Sequence, residues 1–284
     1  MIISFDEVVK FSDLPSRILS NDFKRAKRLT EDIEREFEEE SWSKLLEIYL
    51  SNPELNLSEI EDIYFGKDNR QVYYFQNKFH LDKKSYVRNL FKSLATDKIN
   101  SLIRDRESIL ELGAGYGAIL KSLSEKCIAK KCKLIGAELS ASGRRIIEKI
   151  GFDSDMEISS CYCNFFVPEI DRTKIEKVSL VYSSYSLMYL EKIDASFIDF
   201  IVSFKANNLI FIEPVYENFE SLIHGDMCKK YLSDNSYNKT ILSDLINGFG
   251  SYGQYELVRN EENFFGSNPF LPASVLLFKK NGRT

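Results

Sequence analysis

The sequence predicts an α/β fold with a mostly parallel, seven-stranded sheet that ends in an antiparallel hairpin, behind an N-terminal helical region. Three observations carry this reading. A short apolar run at residues 108–112 passes straight into glycines at alternating positions, Gly113, Gly115 and Gly117, and an amphipathic stretch follows at 118–127. A second apolar run, 133–137, stops at Glu138. Two more runs, 179–184 and 208–213, are apolar almost throughout, as strands covered on both faces are.

The elements follow in order. Residues 1–105 read as mainly helical. Residues 23–50 are rich in helix formers, with a rough apolar stripe through Ile33, Phe37, Trp42, Leu45, Leu46 and Ile48. The acidic run at 34–40 reads as its wet face, and Asn52-Pro53 ends it. A capped short helix is expected from Leu57, a turn at 66–69, and a helix over 84–103. Tyr73, Tyr74, Phe75 and His80 read as an aromatic packing cluster ahead of the sheet, or as part of a lid. Strands are expected at 108–112, 133–138, 156–161, 178–184, 207–213, 254–260 and 273–279, with helices between the first five. Ser140 or Ser142 is placed to cap the helix that stops near Gly151. The last two strands have no helix between them, and their connection holds Gly266 and two prolines, so they read as a hairpin. The expected division is 1–105 as a helical cap and 106–284 as a ligand-binding domain.

Composition narrows the class. The 284 residues are 44% hydrophobic and 29% charged, enough for one large or two small domains. No run approaches the roughly 18 apolar residues of a membrane helix, and the N-terminus lacks a signal-peptide pattern. A net charge of −5 disfavours duplex nucleic acid as a partner. The basic groups Lys24-Arg25 with Lys27-Arg28, and Lys130-Lys131 with Lys133, read as solvated faces. Five cysteines without an export signal suggest reduced thiols and a cytoplasmic protein. Cys161-x-Cys163 has a spacing a metal can use. With two histidines and no second close cysteine pair, however, no metal is expected.

The glycine loop carries the chemistry. Glycines adopt positive φ and leave the backbone open to a ligand, and the next helix offers free N–H groups. Glu138 can accept two hydrogen bonds from a ribose diol, or else caps the next helix. The spacing G-x-G-x-G, with Glu111 two residues ahead, is not the G-x-G-x-x-G of dinucleotide folds. The segment Glu111 to Gly117, with Glu138 ending the next strand, resembles the class I S-adenosylmethionine-dependent methyltransferases over roughly the last two-thirds of the chain.

That resemblance implies a Rossmann-like sheet, S-adenosylmethionine as cofactor and a set of site residues. Gly113, Ala114, Gly115 and Gly117 form the cradle, and Glu111 steadies the loop or meets the methionine amino group. Glu138 binds the ribose and Leu139 flanks the adenine. The family often has an Asp after the third strand; this chain has Asn164 and Phe165, which can accept from the adenine amino group and stack on it. After the fourth strand, Ser183 permits close approach and Tyr185 orients the acceptor or contacts the sulfonium. After the fifth, Glu213 can orient the acceptor and receive its proton, Glu217 is a second carboxylate or a helix cap, and His224 is a candidate base.

There is no Asn/Asp-Pro-Pro-Tyr sequence, as in many amino-methylating nucleic-acid enzymes, and no Ser-Glu…Glu loop of protein arginine methyltransferases. The expected acceptor is a nitrogen or oxygen of a small metabolite or a peptide or protein side chain, without nucleic acid or membrane. The rival readings are a non-catalytic binding protein on the same fold and a nicotinamide-dependent oxidoreductase.

Overall fold

Two hairpins and a helical strap surround a five-stranded parallel centre. The computed structural model describes residues 1–24, 29–127, 131–175 and 177–282. Arg25, Lys27, Arg28 and Lys130 of the two basic groups, and part of the 23–50 stretch, lie outside the described residues.

The chain opens with β1 (Ile2–Ile3), α1 (Phe5–Phe11) and α2 (Leu14–Leu19). Next, α3 (Thr30–Arg35) runs through wide π-helical turns at Glu36–Trp42 into α4 (Ser43–Ser51). This strap is followed by α5 (Leu57–Phe65), whose N-cap Asn56 accepts from the Glu59 N–H at 3.1 Å. A hairpin of β2 (Arg70–Phe75) and β3 (Lys78–Lys83) leads into α6 (Lys84–Asn100). The α/β part then runs β4 (Ser108–Leu112), α7 (Ala118–Cys127), β5 (Lys133–Glu138), α8 (Ala141–Phe152), β6 (Glu157–Asn164), β7 (Glu169–Ile170), β8 (Leu180–Ser184) and α9 (Ala195–Val202). It continues with β9 (Asn208–Glu213), α10 (Gly225–Asp234), α11 (Ile241–Tyr252), β10 (Tyr255–Gly266) and β11 (Ala273–Lys280).

The sheet order is β1-β3-β2-β10-β11-β9-β8-β4-β5-β6-β7. The strands β9, β8, β4, β5 and β6 are parallel, and β10 and β11 pair antiparallel as the expected hairpin. The expected seven strands are present, but among the described residues the sheet has eleven. The largest addition is the β2–β3 hairpin, joined to the sheet by Phe75 opposite Phe265 and Tyr74 opposite Gly266. The aromatic cluster of Tyr73, Tyr74, Phe75 and His80 therefore lies within the sheet, not ahead of it. Its two-residue turn, Gln76-Asn77, has both φ angles positive, at 50° and 59°, the twist that tight hairpins favour. A helix was also expected between the third and fourth strands; among the described residues that connection holds β7 and turns.

Alternate residues of the central strands feed two cores. Leu110, Leu112, Val181, Leu209 and Phe211 pack on one face with α9, α10 and α11. Ile109, Leu180, Tyr182, Ile210 and Ile212 pack on the other with α4 to α8. Such two-sided burial explains why these strands lack polar alternation. Because β4 has β5 on one side and β8 on the other, the chain switches direction across the sheet at β4. The crevice beyond the carboxyl ends of β4 and β8 is the usual ligand position in open α/β sheets.

Candidate functional site

The turn after β4 is shaped by its backbone. Gly113, Gly115 and Gly117 have φ of 67°, 54° and 80°, a region costly for any residue with a Cβ. The N–H groups of Gly113 and Ala114 donate to the Ala137 carbonyl at 2.8 and 3.1 Å, clipping the turn to β5. A Cβ on Gly113 would overlap Ser186. Gly117 has a different reason to be glycine: a Cβ there would lie 2.8 Å from Ile147 of α8.

Glu138 ends β5 almost fully buried. Its carboxylate accepts from Gly115 N–H at 2.8 Å and Ser140 N–H at 2.9 Å. Burial pushes its pKa up to about 7, against the pull of those donors. Ser140 caps α8, its hydroxyl accepting from Gly143 N–H at 3.0 Å. Glu111 is buried in β4, accepts from the Tyr182 hydroxyl at 2.9 Å, and is pushed up to about 8 by burial and then by the charge of Glu138.

A cavity of about 350 Å³ lies over this turn, within the usual range of about 300–1,000 Å³ for small-molecule sites. Glu111, Gly113, Ala114, Gly115, Glu138 and Leu139 line it, with Cys163 and Phe165 after β6 and Ser184, Tyr185, Ser186 and Met188 after β8. Tyr185 has φ 52°, rare for a non-glycine residue. Its N–H donates to the Ile212 carbonyl at 3.0 Å and its hydroxyl to the Leu271 carbonyl at 3.2 Å, which hold the strained backbone in place. Burial raises its phenol pKa.

Six sequence candidates do not line the cavity. Gly117 packs under α8. The Asn164 amide oxygen accepts from Phe166 N–H at 2.9 Å, closing a local turn, which removes it from the expected adenine contact. Ser183 is fully buried and donates to Glu213 at 2.8 Å. Glu213, also fully buried, takes that bond and the Ser186 N–H at 3.0 Å, so its oxygens hold the loop after β8 from behind instead of facing an acceptor. Burial pushes Glu213 up to about 7. His224 precedes α10, packed among Phe5, Tyr74, Phe79 and Phe270, with Nε2 3.0 Å from the Pro269 carbonyl. Its burial lowers its pKa to about 4, the setting of a core histidine and not of a base at the site. Glu217 likewise accepts from Ser243 N–H at 3.1 Å, away from the cavity wall.

Much of the remaining wall comes from the N-terminal segment, which the sequence marked as a cap without naming the residues that reach the site. It includes Ile33, Glu34, Phe37 and Trp42 of the strap, and Arg88, Phe91 and Lys92 of α6. The wide turns carry Glu38 to the start of α8, where it accepts from Ser140 Oγ at 2.7 Å, Ser142 N–H at 2.9 Å and Ser142 Oγ at 2.7 Å. At least this part of the acidic run is therefore not a wet face. Two signals stood in the sequence: the chain's single tryptophan, and two cations four residues apart, Arg88 and Lys92, beside the apolar Val87, Leu90, Phe91, Leu94 and Ala95.

No protein-family model and no curated protein matches the sequence. Solved structures do match. Magnesium protoporphyrin IX methyltransferase from Synechocystis PCC 6803, solved with bound S-adenosylmethionine, matches over 90% of this chain and 100% of its own, with a TM-score of 0.50 at 12% identity. Geranyl diphosphate C-methyltransferase from Streptomyces coelicolor A3(2) covers 68% of this chain and 80% of its own, with a TM-score of 0.48 at 12% identity. An S-adenosylmethionine-dependent methyltransferase from Clostridium acetobutylicum ATCC 824 covers 69% and 92%, with 0.46 at 13% identity. What this chain shares with the first of these, at 12% identity, is the fold. The chain has the Rossmann-like α/β fold found in S-adenosylmethionine-dependent methyltransferases, the fold expected from its glycine loop and Glu138.

Proposed function

We propose that this chain is an S-adenosylmethionine-dependent methyltransferase, moving a methyl group to a nitrogen or oxygen of a small metabolite or of a peptide or protein side chain. The observation that carries the reading is a buried carboxylate, Glu138, beside a positive-φ turn that lines a cavity at the sheet's switch point. The residues present fit the cofactor. Gly113 and Gly115 leave the backbone open, Glu138 is placed for the ribose diol, Leu139 and Phe165 offer apolar faces to the adenine, and Glu111 offers charge to the ammonium.

The cofactor supplies an electrophilic methyl on sulfur. The protein supplies proximity and alignment. Ser184, Tyr185 and Ser186 close one side of the reacting centre, and Tyr185 is held rigid at both ends to orient an acceptor. Phe37, Phe91 and Tyr189 make the acceptor side aromatic. Glu213 acts indirectly, by fixing the loop that carries Tyr185 and Ser186. The acceptor's proton leaves to water at the rim, beside the exposed Glu34.

In this reading residues 1–105 serve as cap and acceptor-recognition segment, and 106–284 as the cofactor domain. Among the described residues no helix is long and apolar enough to cross a membrane. Cys161, Cys163 and Cys228 are buried thiols outside any disulfide, which supports a cytoplasmic protein.

Calorimetric titration with S-adenosylhomocysteine, and with NAD in parallel, tests the reading. Saturable binding of the first alone supports it. Binding of NAD alone, or of neither, sinks it. If the nucleoside binds and no acceptor class ever gains a methyl, the non-catalytic reading takes its place.

A further inference from the structure

One corner of the cavity wall holds buried donors with nothing to donate to. Arg88 Nη1 and Trp42 Nε1 are both shielded from solvent and lack a hydrogen-bond partner, and both residues line the cavity. They reach it from different elements, α6 and the strap. Orphaned buried N–H groups are rare in folded proteins, and two at one place call for an acceptor.

The guanidinium of Arg88 is fixed from behind. Its Nη2 donates to Asp62 at 2.5 Å, its Nε lies 3.2 Å from Glu61, and it sits 5.5 Å over the Phe65 ring. Glu61 is fully buried and also takes Lys92 Nζ at 2.6 Å and the Tyr116 hydroxyl at 2.9 Å. Glu61 and Asp62 thus face three cations, Arg88, Lys92 and, at 3.8 Å from Asp62, Lys67, and Nη1 is left over. Trp42 packs against the same Tyr116, ring centroids 4.9 Å apart. It also closes on Gly115, where an added Cβ would lie 3.3 Å from its ring. Gly115 therefore stands between Glu138, which takes its N–H, and Trp42, which covers its Cα.

Contacts through Gly115, Tyr116 and Glu61 thus link a diol acceptor at Glu138, the bare backbone of Gly115, and the unpaired donors of Trp42 and Arg88, in the wall of one cavity. That arrangement complements a nucleoside carrying an amino acid. We propose that Arg88 Nη1 and Trp42 Nε1 receive the carboxylate of the cofactor's methionyl end, so that this corner selects a nucleoside with a carboxylate tail over one without. The assignment rests on the methyltransferase reading above. Guanidinium and indole N–H groups suit this task, because neither can act as an acceptor and both hold a fixed direction.

The test compares two ligands that differ only in the tail. S-adenosylhomocysteine has the aminocarboxylate, and 5′-methylthioadenosine does not. Each is titrated into wild-type protein, Arg88→Lys, which keeps a cation for Glu61, and Trp42→Phe, which keeps a ring but removes the N–H. The expected result is a loss of homocysteine-ligand affinity on the order of tenfold or more in Arg88→Lys and several-fold in Trp42→Phe. Affinity for 5′-methylthioadenosine should stay within about twofold in both. Equal losses for both ligands would assign the pair a structural role and overturn the proposal, as would unchanged affinity for both. If wild-type protein binds neither ligand, the cofactor reading itself fails, a result distinct from failure of this corner.

Discussion

Glu138 and Glu213 end two strands of the same parallel sheet, both are buried, and burial pushes both pKa values up to about 7. In sequence they look alike, each a carboxylate closing an apolar run. Only Glu138 lines the cavity. Glu213 is spent on Ser183 and Ser186, and props up the loop that carries Tyr185. A strand-end carboxylate thus becomes a ligand contact or a loop strut according to which donors surround it. The Ser183 hydroxyl on the neighbouring strand end and the Ser186 N–H together hold Glu213 inward.

Substitutions can break this comparison. Glu213→Ala strands the Ser186 N–H and the Ser183 hydroxyl in a dry site, and should cost about 2–4 kcal/mol of stability, read as a fall in denaturation midpoint. Glu138→Ala should instead weaken S-adenosylhomocysteine binding by about 1.4–2.7 kcal/mol, roughly tenfold to a hundredfold, with the smaller stability loss of the two. A reversed pattern, affinity lost at Glu213 and stability at Glu138, would show that the two roles have been exchanged.

pH sharpens the comparison through sign. A buried carboxylate raised from 4.5 to about 7 ionises less readily in the folded than in the unfolded chain. The folded state therefore binds more protons between those values, and these groups make stability fall as pH rises from about 4.5 to 7. Cofactor affinity should run the other way, because the ribose diol and the ammonium need ionised Glu138 and Glu111. Calorimetry from pH 8 down to 6 should show weakening binding, and Glu138→Gln should make the profile shallower, leaving the part that Glu111 carries. His224, lowered to about 4, is neutral in the fold and opposes the carboxylates by losing stability as pH falls from 6.5 toward 4. His224→Gln should leave nucleoside affinity unchanged.

A smaller effect is expected at the strap. Glu38 ties it to Ser140 and Ser142, two and four residues past Glu138. Glu38→Ala should speed S-adenosylhomocysteine release by a few-fold with little change in folding stability, measured by stopped-flow fluorescence of Trp42. An unchanged release rate would make the strap a fixed wall and not a gate.

What could be read from the sequence divides along the same line. The turn after β4, Glu138 and the strand ends were legible because they depend on local chemistry: glycine φ, apolar runs and a carboxylate at a strand terminus. The N-terminal contribution was not, because it depends on tertiary contact. Nothing local says that Tyr74 and Phe75 pair with a strand nearly two hundred residues later, although Gln76-Asn77 between two β-rich runs is a hairpin signal that the packing-cluster reading passed over. Nor does an acidic run announce that Glu38 caps a distant helix. His224 and Glu213 were misjudged because sequence position gives proximity to a strand end and not the direction a side chain takes.

The central claim is that Glu138 and the turn beside it form a nucleoside site under Trp42, and Trp42, the only tryptophan, reports on that place directly. The decisive measurement is its fluorescence during titration with S-adenosylhomocysteine, in wild-type protein and in Glu138→Ala. The account predicts a saturable change in the wild type and a midpoint at least tenfold higher in the variant. A signal that never saturates, or the same midpoint in both proteins, would contradict it.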